Sequence, residues 1–289
     1  MRFVTLFFLA ITLSLSFVRA EVRVVGCDLL GKGFSDALNA YSRRNDLGIR
    51  LDFAGSETGL EQLRMGTADL GIIFLSPGAK KLEDSLVAIA AAYQTCVVVV
   101  PASVPITQIS FDQLNALYAD AADSSIKRWG DLDVTGGWAN RGVLPNITGP
   151  GGGLSYDLFR YTVMRTPSLK PTVAQQDSVE ATLQRMLGDE GGIAVMALLP
   201  EKQRELKALA VARKSTDVAF GPTAENIQSG DYPIRMPVYF VFKKSSAKQL
   251  QLVLRFLLSE EAVPLWKGAR LMPLTIQARN QQIFDLEVL

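Results

Sequence analysis

The chain has 289 residues, 48% of them apolar and 20% charged, with a formal net charge of +1. That length and balance suit one large or two medium domains with a sizeable core, and exclude a disordered or fibrous chain. The near-neutral charge argues against the basic patches of a nucleic-acid binder, and the absence of histidine removes Ser-His-Asp and Cys-His nucleophile systems and imidazole-ligated zinc.

The N-terminus, "MRFVTLFFLAITLSLSFVRA", places Arg2 before an apolar run from Phe3 to Val18. It ends on Val18-Arg19-Ala20, a loose match to the small-x-small cleavage rule, so residues 1–20 read as a secretory signal peptide and the chain as periplasmic. The alternative is a membrane anchor, for which the run is short. Without these residues 28 basic and 29 acidic side chains remain, a net charge of −1. The two cysteines are Cys27 and Cys96; in an exported chain they either pair or stay reduced. "VVGC" resembles a lipoprotein cleavage box, but Arg19, Glu21 and Arg23 separate it from the apolar run.

Next, "EVRVVG" predicts a strand and "CDLLGKG" a loop. Phe34, Ala37, Leu38 and Tyr41 recur at helical spacing, which predicts an amphipathic helix to about Arg44. "GIRLDFAGS" is a second strand ending in a turn. In "ETGLEQLRMG", Thr58 and Glu61 have capping-box spacing, Leu60 and Leu63 share a face, and Gly66 is a natural stop. "DLGIIFLS" is a third strand. The βαβαβ order implies a parallel sheet with crossover helices.

"LVAIAAAY" and "CVVVVPAS" read as buried strands, and "SFDQLNALYA" as a helix capped by Ser110. "KRWGDL" is a turn with a packing tryptophan. "VLPNITGPGGGLSYDLFRYTVM" reads as strand, glycine loop, helix; "SVEATLQRMLGDEGGIAVMAL" as helix, glycine turn, strand. "PTAENIQSGDYPIRMPVYFVFKK" is a proline-punctuated connection into a strand. "AKQLQLVLRFLLS" is a helix with Leu250, Val253, Leu254 and Leu257 on one face, and "WKGARLMPL" closes the fold. The pattern is α/β throughout, and "CVVVVP" and "MPVYFVF" could be paired crossovers between two lobes.

Loops at the carboxyl ends of parallel strands are where α/β sheets bind ligands. Three such loops are rich in small polar residues: Gly26-Cys27-Asp28, Gly55-Ser56-Glu57, and Gly149 to Ser155. Each could hold an anion on backbone N–H groups at a helix start, or be an ordinary turn and cap. "GPGGGLS" lacks the Gly-Lys-Ser/Thr of a Walker loop, breaks GxGxxG at Leu154 and misses GxSxG. Its glycines remain suited to an amide nest. Asp69 opens an apolar strand, as a structural acceptor or as a ligand group for an anion that carries a proton. Asp28 and Glu57 are either first-turn acids favoured by the helix dipole or solvent-exposed. Trp129, Trp138 and Trp266 read as packing residues.

In their order along nearly all of the mature chain, these motifs resemble the periplasmic phosphate-binding proteins of ABC transporters. The resemblance rests on "AGSETGLEQLRMGTADLGI", "VVVVPASVPITQISFDQLNALYA…RWGDL", "GDEGGIAV", the closely matching "PTAENIQSGDYPIRMPVYFVF", and "LLSEEAVPLWKGARLMPL". It implies a two-lobe, type II periplasmic-binding-protein fold with the ligand between the lobes. The first lobe would take residues 21–96 and 236–289, the second 97–235. It also implies a monomeric, non-enzymatic receptor with neither cofactor nor metal. That receptor would capture phosphate or a related oxyanion and deliver it to a membrane permease.

Residue by residue, the family's Ser-Asp-Thr loop falls on Cys27, Asp28 and Leu29, so its threonine hydroxyl is lost. The second-loop serine is kept as Ser56, and the aspartate that accepts from protonated phosphate falls on Asp69. Anchoring on Phe159 puts Ser155 at the threonine of the Arg-x-x-Gly-Ser-Gly-Thr segment, with Gly152 and Gly153 in its loop. The arginine position falls on Gly149, and no Arg or Lys lies between Arg141 and Arg160. A charge-assisted hydrogen bond is worth roughly 1.5–3 kcal/mol, so losing that guanidinium weakens oxyanion binding by on the order of 10- to 100-fold. The cleft then either binds phosphate more weakly through amides and Ser56, takes another ligand, or has given up small ligands for protein contacts.

Overall fold

A computed structural model describes residues 21–75, 81–120, 126–164, 168–188, 191–200 and 202–288. The expected signal peptide lies outside these residues. Val22–Gly26 forms β1, buried except at Arg23, as its β-branched residues favour. Gly31–Arg44 forms α1, Ile49–Asp52 β2, Ser56–Met65 α2 and Leu70–Phe74 β3. β1 pairs in parallel with both β2 and β3, as the alternating pattern requires. Gly66 ends α2 in the left-handed conformation, at φ 73°, its amide bonding back to Gln62 and Leu63. The expected Thr58 capping box is not there. The helix starts three residues earlier, at Ser56 after Gly55, with no side-chain cap.

Leu86–Thr95 is β4, and Val97–Pro101, fully buried, is β5. Gln108–Ser110 is β6 and Phe111–Tyr118 is α3. Ser110 caps α3 in a complete capping box with Gln113, closing two otherwise unpaired backbone groups. Leu144–Thr148 is β7, Ser155–Phe159 is α4, which runs on as a wider π-turn over Arg160–Met164, and Ala174–Gln176 is β8. Val179–Gly188 is α5, Gly192–Met196 β9, Leu206–Ala208 β10, Ala210–Ala212 β11 and Ala224–Ser229 α6. Arg235–Lys243 is β12, Ala247–Leu257 α7, Val263–Gly268 α8, Met272–Pro273 β13 and Ile276–Val288 α9.

The strands make two main sheets. One has the order β13-β4-β12-β3-β1-β2 and the other β10-β5-β9-β7-β8; β11 and β6 form a separate pair. β12 is central in the first sheet, antiparallel to both β3 and β4. The chain leaves the first sheet after Thr95 and re-enters it at Arg235. These crossings touch: the Cys96 amide donates to the Ile234 carbonyl at 3.3 Å, and the Thr95 hydroxyl donates to the same oxygen at 2.8 Å. "CVVVVP" and "MPVYFVF" are therefore not themselves the crossovers. β5 belongs wholly to the second sheet and β12 wholly to the first, and the passage is made by the residues just before each.

Trp266 joins α8 to the core of the first sheet. It packs on Phe34 of α1 at 5.0 Å between ring centres and on Phe240 of β12 at 5.9 Å. Its indole N–H donates to the Leu257 carbonyl at 2.9 Å, which satisfies its one polar atom. Trp129 is fully buried and Trp138 partly so, the latter beneath the Arg141 guanidinium at 4.2 Å. Among the described residues no helix is long and apolar enough to cross a membrane, and no group of three or more His, Cys, Asp or Glu could hold a metal ion.

Candidate functional site: a cleft between the two sheets

A cavity of about 560 Å³ lies between the sheets. The first sheet's side supplies Leu29 to Gly31, Phe34, Phe74, Gln94 and the segment from Pro264 to Leu271. The second supplies Pro150 to Leu154 and Ala197. Phe74 ends β3, the glycine loop follows β7 and Ala197 follows β9, so the cavity sits at carboxyl ends of strands, where open α/β sheets place ligands.

Gly152 and Gly153 line this cavity. Gly152 has no room for a side chain, because a Cβ there would stand 2.1 Å from Thr148 Cγ2. Thr148 is held in turn by a 2.7 Å hydrogen bond to Thr182 of α5. Gly153 has φ 97°, a region that favours glycine. The loop is nevertheless less of an amide nest than its composition suggests. The Gly149, Gly152 and Gly153 N–H groups donate to Gln176, Gly149 and Pro150 carbonyls at 2.8, 2.9 and 3.1 Å. Ser155 follows at the start of α4, 1% exposed, its hydroxyl buried with no hydrogen-bond partner among the described residues.

The first loop contributes through other residues than expected. Cys27 is buried beneath it, its sulfur accepting from the Leu29 amide at 3.4 Å. Burial pushes its thiol up to about 11, against the opposing pull of that amide. Asp28 is exposed, and Leu29 and Leu30 reach the cavity instead. Ser56 opens α2 and its hydroxyl accepts from the Phe74 amide at 3.0 Å. That bond pins the end of β3 to the start of α2, and the same side chain hydrogen-bonds Cys27, drawing its thiol down against the effect of burial. Both cysteines are free and buried, so they do not pair.

Asp69 stands elsewhere. It precedes β3, whereas the cavity lies at the far end of that strand, five residues and roughly 16 Å on. Its carboxylate accepts from the Arg23 amide at 2.8 Å and from two guanidinium nitrogens at 3.0 Å. Burial raises its pKa, but the side-chain, backbone and charge interactions with Arg23 outweigh that and hold it below the usual carboxylate range. Asp69 is thus the structural acceptor of the two readings, and the residue that β3 presents to the cavity is Phe74.

A cation does reach the cavity, from a segment that sequence reasoning passed over as a closing tail. Arg270 lines it. Its guanidinium crosses to the second sheet's side, donating to the Gly152 carbonyl at 3.4 Å and to both carboxylate oxygens of Glu180 at 3.2 Å. Its backbone is left-handed, at φ 59°, just past α8, where glycine is the usual occupant. The amides of Arg270 and Leu271 bond back to Lys267 and Trp266, both at 2.9 Å. A side chain in this conformation costs about 1 kcal/mol. The sequence signal was its place: a long cation immediately after a short helix, where a stop would normally be glycine.

Residues 15–261 match the PBP superfamily domain, and the chain belongs to that superfamily, the bilobal fold read from its sequence. It is 25% identical over 254 residues to phosphate-binding protein PstS of Pseudomonas aeruginosa, covering 81% of this chain and 75% of that protein. In fold it is similar to the crystal structure of a possible phosphate binding protein from Planctomyces limnophilus, at 17% identity and a TM-score of 0.68 over 93% of this chain and 98% of that one. PstS from Borrelia burgdorferi is similar at 16% identity and a TM-score of 0.65, over 88% and 98% of the two chains. The resemblance to phosphate-binding proteins seen in the sequence is borne out.

Proposed function

We propose that this protein is an exported solute-binding receptor that captures phosphate or a related oxyanion between its two sheets and hands it to an ABC transporter permease. The observation that carries this reading is Arg270. It supplies, from the first sheet's side, a cation beside the Pro150 to Gly153 loop of the second, and so offsets the arginine missing at Gly149. The names of its relatives supply the ligand class. Ser155, whose buried hydroxyl has no partner among the described residues, and Ser56, at the start of α2, are the side chains proposed to join Arg270 as the halves close. Groups from both sides make closure depend on the ligand, as differential affinity for the closed state requires. No catalytic role is proposed.

The test is a thermal-shift titration of the purified protein with phosphate, sulfate, molybdate and a buffer control. A ligand at 100 times its dissociation constant adds about 2.7 kcal/mol, which shifts the melting temperature by roughly 5–10 °C at this size. A shift with phosphate or another oxyanion supports the reading; none with any oxyanion sinks it. The second reading, a retuned or ligand-free cleft, draws on the apolar lining around Phe74 and on the remote position of Asp69.

A further inference from the structure

The cavity combines one cationic side chain with a largely apolar set of side chains. Arg270 lies against the glycine loop, with the unpartnered Ser155 hydroxyl two residues beyond Gly153. Much of the remaining lining is carbon: Leu29, Phe34, Phe74, Leu154, Leu265 and Leu271. Gln94 adds a polar group, and one of its two amide hydrogens is used on the Thr95 carbonyl at 2.9 Å.

Inorganic phosphate has oxygen on every side. Enclosing it here would strip water from oxygens facing leucine and phenylalanine, which offer no replacement hydrogen bond, and such desolvation is costly. A phosphate monoester or a phosphonate is shaped differently. Three oxygens lie at one end and a carbon substituent at the other, so it can present charge to Arg270 and carbon to the apolar side chains. The cleft, about 560 Å³ before the halves close, falls in the range of roughly 300–1,000 Å³ typical of small organic ligand sites.

We propose that the cleft takes a phosphate or phosphonate group bearing an apolar substituent. Arg270 holds the oxyanion beside the glycine loop, and the wall centred on Phe74 holds the substituent. This rests on the receptor reading and narrows its ligand class. Arg270 currently pairs with Glu180, whose side chain is 71% exposed, so the anion competes only with a solvated partner for the guanidinium.

The experiment is calorimetric titration of the purified protein with inorganic phosphate, methylphosphonate and phenylphosphonate, with benzyl alcohol as the uncharged control. Phenylphosphonate is expected to bind about tenfold or more tighter than phosphate, with methylphosphonate between them and no binding of benzyl alcohol. Phe74→Ala should narrow the gap between phenylphosphonate and phosphate. Arg270→Gly should weaken all the anions by about tenfold or more while melting no lower than the parent, because glycine relieves the left-handed backbone. Phosphate binding as tight as phenylphosphonate overturns the proposal and leaves the receptor reading standing. Unchanged affinity for all three anions on Arg270→Gly overturns the assigned seat, and binding of no anion at all overturns both readings.

Discussion

The hydroxyl of Tyr232 donates to the backbone carbonyl of Cys96 at 2.7 Å. Those two residues stand at the two places where the chain passes between the sheets, and both are fully buried. Tyr232→Phe removes the donor and leaves the carbonyl without it, which costs about 1–3 kcal/mol. The variant is expected to melt several degrees lower, at about 2–4 °C per kcal/mol, in a calorimetric scan against the parent. An unchanged melting temperature would mean that the crossings are not held by this bond.

The position of Asp69 separates stability from binding. Asp69→Asn should lower stability by about 1–2 kcal/mol, since the charged partner of Arg23 is lost, and leave oxyanion affinity unchanged. The pH dependence has a definite sign. The folded pKa is depressed, so the carboxylate's contribution is fully present above its unfolded value of about 3.9 and disappears as pH falls through the lower folded value. Urea denaturation of the two proteins at pH 7 and pH 3 checks this: the stability gap should be full at pH 7 and reduced at pH 3. A drop in anion affinity would return Asp69 to the cleft.

Ser155 makes the opposite prediction. Its hydroxyl is buried with no partner among the described residues, so Ser155→Ala removes a group that gains nothing from them without a ligand. Stability should stay within about 0.5 kcal/mol of the parent or rise, while oxyanion affinity falls. Paired denaturation and titration measure both. A destabilised variant with full affinity would assign the hydroxyl to the fold.

Neither cysteine should react in the native state. Burial raises both thiols, Cys27 to about 11 and Cys96 further, so at pH 8 roughly a thousandth of Cys27 is thiolate. Iodoacetamide at pH 8 should add no carbamidomethyl groups to native protein and two after denaturation, read by intact mass. A single native modification would show that the first loop opens in solution.

Much of the fold was legible because its elements carry local signals. The unbroken apolar runs gave β4 and β5, the Ser110–Gln113 box gave the start of α3, and Leu250, Val253, Leu254 and Leu257 gave the inner face of α7. All four of those leucine and valine side chains are buried. The short α6 and the α9 helix were not anticipated. α6 lies within a proline-punctuated stretch, and α9 has few apolar residues at helical spacing to announce it.

The site was harder to read, because a ligand-facing position depends on which end of a strand it occupies. Asp69 and Phe74 flank one strand, and only the sheet's orientation assigns the cleft to Phe74. Arg270 lies 118 residues from Gly152, the group it touches, and no spacing rule connects them. The glycine loop was found by composition, yet its composition could not reveal that three of its amides are already bonded, two within the turn and one to Gln176 of β8.

The placement of β12 has a consequence for how the molecule comes into being. Strands β3 and β4 are close in sequence, yet they do not pair; β12, more than a hundred residues later, stands between them. Until that segment has been synthesised, the first sheet has a gap at its centre, and contacts so distant along the chain form slowly. The second sheet has all its strands by Ala208, whereas the first stays divided into two unjoined halves until residues 235–243 have been made, so the two halves of the molecule mature in the reverse of the order in which the chain begins them.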